Sequence, residues 1–262
     1  MSIIRQTEPN PDHAAAPVVG NVEPVQPGAM APHRHARHQL MFATRGVIHV
    51  RTAHGEWLLP PSRAIWIGAG VEHGLLVKRA ADTRVLYIDP AICSAPACPI
   101  SDAAPCRVLD VSPLVRELIL ACSELPWDRA DDAQLRLARV LLDQVQGLEQ
   151  APVDMPLPHD PRALKVVDIL RAEPASRESL VSIAARVGAS ARTIERLFAR
   201  ETHLSFGAWR RRQRMLFAME RLAYGDSVTG VAFDAGYESA SSFVAAFRAM
   251  FGTTPARYFK SH

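Results

Sequence analysis

Short apolar runs, each under about eight residues long, follow one another closely from Gln39 to about Asp89. They read QLMFAT, GVIHVRT, EWLLP, AIWIG and HGLLVKR, and Gly or Pro positions separate them. Strands at this spacing are typical of a small antiparallel barrel or sandwich. The pattern therefore predicts a β domain in the first half of the chain.

The apolar spacing changes from alternating to helical between Val111 and Glu149. Two helices are predicted there, each with one apolar stripe. The first stripe holds Leu114, Leu118 and Cys122, and the second holds Leu135, Val140, Leu141, Val145 and Leu148. Stripes of this kind either pack against the β domain or form a dimer interface, and the spacing alone leaves both open.

The segment 151–161, APVDMPLPHDP, contains four prolines and interrupts every pattern, which indicates a linker. Beyond it the chain is typical of helices only. We therefore expect a two-domain α+β protein: a β-barrel with two helices, then an all-α domain. The expected boundaries are a flexible N-terminal segment 1–27, a barrel 28–108, a helical segment 109–150, a linker 151–160 and a helical domain 161–262.

A repeat lies in the predicted helical domain. Ala184 and Gly188 have the same spacing of four as Ala232 and Gly236, and a helix-like stretch follows each pair. A helix-turn-helix needs a small residue where its helices meet and favours glycine in the turn, where φ is positive. The pattern thus predicts two helix-turn-helix elements in tandem.

A long helical stretch, FGAWRRRQRMLFAMERLAYG, joins the two copies. It would place their second helices in successive major grooves if it spaces them by one turn of B-DNA, about 34 Å. Arg210, Arg211, Arg212 and Arg214 lie at its start, and such a cluster favours contacts with DNA phosphates.

Charge is distributed unevenly along the chain. Residues 161–262 hold 16 Lys and Arg against 9 Asp and Glu, whereas the first 160 residues hold 14 against 18. This asymmetry is typical of a nucleic-acid-binding module joined to a non-binding one. The sequence contains neither a secretory signal nor a long apolar span, and its four cysteines form no CxxC pair. A cytoplasmic protein without a membrane partner is expected.

The run from Leu180 to Phe259 resembles the DNA-binding domain of the AraC/XylS family of transcription regulators. The resemblance is carried by SIAARVGASARTIERLFARET and by GVAFDAGYESASSFVAAFRAMFGTTPARYF. It implies a regulator rather than an enzyme, which binds double-stranded promoter DNA under the control of an effector. It also implies a homodimer that forms through the 109–150 helices, with RNA polymerase as a further partner.

The resemblance assigns DNA-contacting residues to the recognition helices, and the charge of the arginine cluster adds phosphate contacts. Arg192 or Arg196 is expected to read guanine, whereas the second helix, with small outward residues, is expected to anchor the backbone and touch thymine methyls. The assigned residues are Ser190, Arg192, Thr193, Glu195, Arg196, Arg210, Arg211, Arg214, Ser239, Ser241, Ser242 and Val244.

Three histidines of the β region resemble the metal motifs of cupin barrels. Alternation along a strand places His33 and His35 on one face, and strand pairing can bring His73 to them. His38 has the opposite parity. The resemblance implies one divalent transition metal (Zn, Ni or Fe) held by His33, His35, Gln39 and His73.

The cupin resemblance is incomplete. Gln39 stands where catalytic cupins carry a metal-binding Glu, and Gly68 replaces a motif proline. The histidines therefore either bind a metal or line a ligand pocket, and the effector is either a metal or a small molecule. An alternative function is a metal-dependent cupin enzyme with an accessory DNA-binding domain. A DNA-repair alkyl acceptor is another alternative, which requires a reactive, metal-bound cysteine.

Overall fold

The computed structural model describes residues 10–53, 55–61, 63–93 and 106–259. The chain divides into two compact units, Met1–Ala53 with Trp57–Asp154, and His54–Glu56 with Met155–His262. The first unit is rich in strands and the second in helices, which confirms the predicted two-domain α+β class.

The strands of the first unit form two antiparallel sheets. One sheet has the order β1-β8-β3-β6-β9, and the other contains β5-β4-β7-β2 in that order. The strands are β1 (Val18–Val25), β2 (Gly28–His33), β3 (His38–Arg45), β4 (Ile48–Thr52), β5 (Gly55–Leu59), β6 (Arg63–Ile67), β7 (His73–Val77), β8 (Ala81–Ile88), β9 (Cys106–Asp110) and the short β10 (Asp154–Pro156).

Strand β1 corrects the prediction that residues 1–27 form a flexible segment. It pairs with β8 over its full length, from Val18 opposite Ile88 to Val25 opposite Ala81. Strand β1 lies at the edge of its sheet, where a proline is tolerated. Pro24 has no N–H, but an edge strand has a partner strand on one side only, so an N–H on the other side is not needed. The barrel therefore begins about ten residues earlier than position 28, and residues 1–9 lie outside the described part of the chain.

Helices α1 (Pro113–Cys122) and α2 (Asp132–Gln146) follow the last barrel strand. Their buried residues form one apolar core with the barrel, to which Ile119 and Leu141 of the helices and Leu40 and Trp66 of the strands all belong. Packing against the β domain thus accounts for these stripes. Two stripe assignments were wrong, because Leu114 is 56% exposed and Val140 is 46% exposed.

From Pro161 onwards, the described residues of the second unit form helices and no strand. A serine or aspartate side chain caps the N-terminus of every helix from α3 to α8, so their starting points are set locally by sequence. These helices are α3 (Pro161–Ala172), α4 (Leu180–Arg186), α5 (Ala191–Thr202), α6 (Phe206–Ala223), α7 (Val228–Asp234), α8 (Ala240–Phe251) and α9 (Pro255–Tyr258).

The two predicted helix-turn-helix elements are α4–α5 and α7–α8. Gly188 and Gly236 both have positive φ, 68° and 80°, and occupy the two turns. Ala184 and Ala232 are fully buried, and the carbonyl of each accepts the N–H of the residue five positions later, at 3.0 and 2.9 Å. Both copies therefore have the same turn, as the repeat predicted.

Helix α6 joins the two copies as a continuous helix of 18 residues, about 27 Å long. Trp209, Met215 and Met219 are almost fully buried along it, as predicted. Within the described residues, no helix has both the length and the apolar content needed to cross a membrane.

Candidate functional site

Three histidines converge in the first unit. His33, at the end of β2, lies directly opposite His73, at the start of β7, and their ring centroids are 4.4 Å apart. The ring of His35 lies 5.3 Å from that of His73. One nitrogen from each ring lies within 4.8 Å of the other two, so the predicted His33, His35 and His73 form one cluster.

His35 belongs to the cluster as predicted, but a loop positions it and not the predicted strand. Strand β2 ends at His33, so strand alternation does not place His35 beside it. His35 instead lies in the loop between β2 and β3, where its carbonyl accepts the Gly70 N–H at 2.8 Å. His38 takes no part in the cluster; its Nδ1 accepts the Ala69 N–H at 3.0 Å.

Each Nδ1 of the histidine cluster faces a main-chain carbonyl. The partners are Ala31 for His33 at 3.1 Å, Arg37 for His35 at 2.7 Å and Val71 for His73 at 2.9 Å. Because a carbonyl can only accept, each Nδ1 must donate, and the lone pair of a neutral ring is then on Nε2. This is the tautomer that binds metal through Nε2.

The environment of the cluster favours uncharged imidazoles. His73 is 1% exposed, and burial lowers its pKa to about 4. Burial also lowers the pKa of His33, and the neighbouring His35 adds to this effect. The Nε2 of His73 is buried without a hydrogen-bond partner among the described residues. An orphaned lone pair in a neutral, buried ring is costly unless a ligand occupies it.

Gln39 lies beside the histidine cluster, as the cupin resemblance implied. Its Oε1 is 3.1 Å from His35 Nε2, and the side chain is buried. With the His35 proton on Nδ1, both of these atoms are acceptors, so no hydrogen bond joins them in that tautomer. Two ligands of a tetrahedral zinc ion, each about 2.0–2.1 Å from the metal, lie about 3.3 Å apart. The spacing of Gln39 and His35 therefore fits two neighbouring ligands, and the donor set of imidazoles and one amide oxygen fits a divalent transition metal.

Two aromatic residues that sequence reasoning missed extend from the cluster. The Tyr87 ring lies edge-on to His35, at 5.2 Å between centroids, and Trp127 lies edge-on to Tyr87 at 6.0 Å. Tyr87 lies on β8 and Trp127 follows α1, so no local motif links either residue to the histidines. Their proximity depends on sheet order and helix packing.

The first recognition helix, α5, presents polar residues outwards. Arg192, Glu195 and Arg196 are exposed, and with Thr193 and Ala199 they line one shallow surface groove. Among the described residues, neither arginine has an ion-pair partner, so both guanidinium groups are available. Ser190 is exposed but caps the helix, because its Oγ accepts the Thr193 N–H at 3.1 Å.

The second recognition helix, α8, presents small residues. Ser241 and Val244 line an open groove along its outer face together with Arg248 and several alanines. Ser239 caps the helix by accepting the Ser242 N–H at 3.1 Å, and Ser242 Oγ donates to the Ser239 carbonyl at 2.9 Å. The apolar lining suits methyl groups better than it suits hydrogen-bonding base edges.

The arginine cluster at the start of α6 divides into two kinds. Arg210 donates to the carbonyls of Glu178 and Ser176, and Arg214 donates to those of Pro174 and Ser176. Both side chains thus fix the loop before the first helix-turn-helix, and their assignment as phosphate ligands stays a prediction. Arg211 is exposed and keeps that assignment.

The cysteines of the described residues are buried. Burial raises the pKa of the Cys106 thiol to about 12 and that of Cys122 to about 11. Cys93 is also buried, and Cys98 lies outside the described part of the chain. Protonated, buried thiols are poor nucleophiles, so Cys106 and Cys122 give no support to an alkyl-acceptor function.

Family comparisons match both units. Residues 26–145 match the AraC-like ligand binding domain, and residues 183–261 match a helix-turn-helix domain family. The chain is 33% identical over 227 residues to the HTH-type transcriptional regulator NimR of Escherichia coli, covering 86% of this chain and 81% of NimR. It is 39% identical over 103 residues to the regulator RipA of Corynebacterium glutamicum, covering 39% of this chain and 31% of RipA. The ToxT structure from Vibrio cholerae is 10% identical, with a TM-score of 0.40 over 93% of this chain and 98% of ToxT.

A duplicated helix-turn-helix that follows a ligand-binding β domain defines a one-chain transcription regulator. This chain belongs to the AraC family of helix-turn-helix transcriptional regulators.

Proposed function

We propose that this regulator binds promoter DNA in response to a divalent transition metal held by the histidine cluster. The observation that carries the proposal is the buried, unpartnered Nε2 of His73 in a cluster whose three Nδ1 atoms face carbonyls. His33, His35 and His73 would hold the metal, with Gln39 as an oxygen ligand. The bound ion would supply a fixed positive charge that draws the strands and loop bearing these ligands together.

On the DNA side, the two recognition helices would act differently. The free guanidinium groups of Arg192 and Arg196 support direct reading of guanine by α5. The small, partly apolar face of α8 supports backbone anchoring with contacts to thymine methyls. Arg211 would contact phosphate.

The active form would be a homodimer in the cytoplasm, where it meets promoter DNA and RNA polymerase. The exposed Leu114 on α1 and Val140 on α2 support dimerisation, because large apolar side chains on an outer helix face favour burial against a second copy.

The metal proposal is tested by titrating the purified, metal-free protein with Zn²⁺, Ni²⁺ and Fe²⁺ and measuring binding calorimetrically. We expect one ion per chain in the wild type and none in His73→Ala. A wild-type protein that binds none of the three ions would contradict the proposal. Gln39→Glu, which restores the carboxylate of the cupin motif, should bind more tightly.

The DNA proposal is tested by selecting duplexes from a random library with the full chain. We expect an enriched sequence that contains guanine at one half-site. Recovery of no enriched sequence with either metal-free or metal-loaded protein would contradict sequence-specific binding.

A further inference from the structure

The N-terminal segment, residues 10–17, is attached to the loop that carries His35. The Arg37 guanidinium donates to the carbonyls of Ala14 at 2.6 Å and Ala16 at 2.8 Å. From the other side, Asp12 Oδ1 accepts the Ala36 N–H at 2.7 Å. The 34–37 loop is therefore fixed by three charge-assisted hydrogen bonds, which are stronger than neutral ones.

Arg37 is unusual among the arginines of the barrel because its side chain is only 6% exposed. Its partners are main-chain carbonyls, and no carboxylate pairs with it among the described residues. Burying a guanidinium is costly, so its carbonyl partners must be held in place for the arrangement to persist. The segment contributes to this, since the Ala15 and Ala16 N–H groups both donate to the Trp127 carbonyl.

The same residue orients His35. The Arg37 carbonyl accepts from His35 Nδ1 at 2.7 Å, the shortest of the three contacts that set the tautomers of the histidine cluster. The Ala31 carbonyl, which accepts from His33 Nδ1, lies within strand β2. The Arg37 carbonyl lies in a loop, so its position depends on what fixes that loop.

We propose that Arg37, held by the N-terminal segment, is a positioning residue for the metal ligand His35. Its guanidinium fixes the 34–37 loop, and its carbonyl then keeps His35 with Nε2 unprotonated and directed into the histidine cluster. Asp12 acts on the same loop through the Ala36 N–H. This inference rests on the proposed metal binding by His33, His35 and His73.

Zinc affinity of the full chain tests the inference in two variants with matched controls. Removal of outer contacts to metal ligands typically weakens binding by about 10- to 100-fold. We expect such a loss in Arg37→Met and in Asp12→Ala. Asp12→Asn keeps the accepting Oδ1 and should stay close to wild type. Arg45→Met removes an arginine that is exposed on the same barrel and should also have little effect.

A second measurement separates positioning from a general loss of structure. Nitrogen-15 NMR of the histidine rings, recorded on the metal-free protein, reports which ring nitrogen carries the proton. We expect His35 to be protonated on Nδ1 in the wild type and to become a tautomer mixture in Arg37→Met and Asp12→Ala. His33 and His73 should keep their tautomers. If Arg37→Met does not fold, Asp12→Ala carries the test.

The outcomes distinguish the two proposals. If the wild type binds zinc and Arg37→Met and Asp12→Ala bind it equally well, the positioning role is wrong while the metal site stands. If the wild type binds no metal, the metal proposal fails and the positioning role fails with it. Unchanged His35 tautomers in both folded variants would also overturn the positioning role.

Discussion

Individual arginines of the DNA-binding unit have different tasks despite similar sequence contexts. Arg196 lies free on α5, Arg211 is exposed on α6, and Arg210 is bound to main-chain carbonyls of the preceding loop. Sequence alone groups Arg210, Arg211 and Arg214 together. Only the position of residues 174–178 shows which of them fix the fold.

Replacing Arg196 and Arg211 in turn should separate recognition of bases from contact with the DNA phosphates. Arg196→Ala should lose about 1–3 kcal/mol of discrimination at one guanine, because a bidentate contact disappears. Arg211→Ala should weaken binding to all sequences alike and lower the salt slope by about one. Fluorescence anisotropy over a salt series measures both, with Lys165→Ala as a control for loss of charge. Equal losses across all sequences for both variants would remove this division of labour.

His203 carries backbone strain that its counterpart in the second copy avoids. It caps α5 with φ of 57°, whereas Gly252 caps α8 with φ of 74°. The left-handed conformation costs a non-glycine residue about 1–2 kcal/mol. Glycine avoids this strain, but ordering its more flexible backbone on folding costs part of the free energy that is saved. We expect His203→Gly to raise the free energy of unfolding by about 0.5–1 kcal/mol. Gly252→Ala should lower it, and urea denaturation measures both.

Burial of His73 makes the stability of the metal-free protein depend on pH. Its pKa falls from 6.5 to about 4 in the folded state, so the unfolded chain takes up the proton first. The free energy of unfolding should therefore be fully retained above pH 6.5 and should fall between pH 6.5 and about 4. Urea denaturation with chelator present measures this slope. The dependence of the free energy of unfolding on pH should weaken in His73→Gln and stay unchanged in His203→Gln. An unchanged pH dependence in His73→Gln would refute the assignment of this effect to His73.

At the scale of elements, the repeat in the second unit was predictable because its signals are local. A glycine with positive φ, a buried alanine four residues earlier and a serine cap recur in each copy. The sequence predicted which three histidines come together, but it did not predict that a loop positions His35. Strand β2 ends at His33, and the loop that carries His35 is bound through Ala36 and Arg37 to residues 12–16, which lie in the segment expected to be flexible.

Helix orientation was harder to predict than helix existence. The periodicity located α1 and α2 but not the faces that they bury. Leu114 and Val140 are exposed, whereas Val115 and Leu142 are buried. Strand β1 was missed because VVGNVEPV lacks alternation and contains Gly and Pro. Its pairing with β8 is a long-range contact that no local pattern reveals.

The outward residues of α1 and α2 provide a test of the dimer. Leu114→Asp and Val140→Asp each place a charge where a second copy would bury the side chain, and we expect both to shift the protein to monomer. Light scattering coupled to size-exclusion chromatography measures the mass. Leu164, which is 37% exposed on α3, provides the matched control, and Leu164→Asp should remain dimeric. Unchanged dimers in both α1 and α2 variants would exclude this face.

At the scale of the whole molecule, regulation requires that metal and DNA binding influence each other. The effect must be reciprocal, and couplings in allosteric proteins are typically about 5- to 150-fold in affinity. In the proposed function, metal binding by His33, His35 and His73 would change the first unit, and the duplicated helix-turn-helix would supply the DNA contacts of the second.

The most direct test compares the affinity of the full chain for its selected duplex in zinc, in chelator, and in both conditions for His73→Ala. We predict that the dissociation constants in zinc and in chelator differ by about 5-fold or more in the wild type. They should coincide in His73→Ala. Equal wild-type dissociation constants in zinc and chelator would contradict metal control of this regulator.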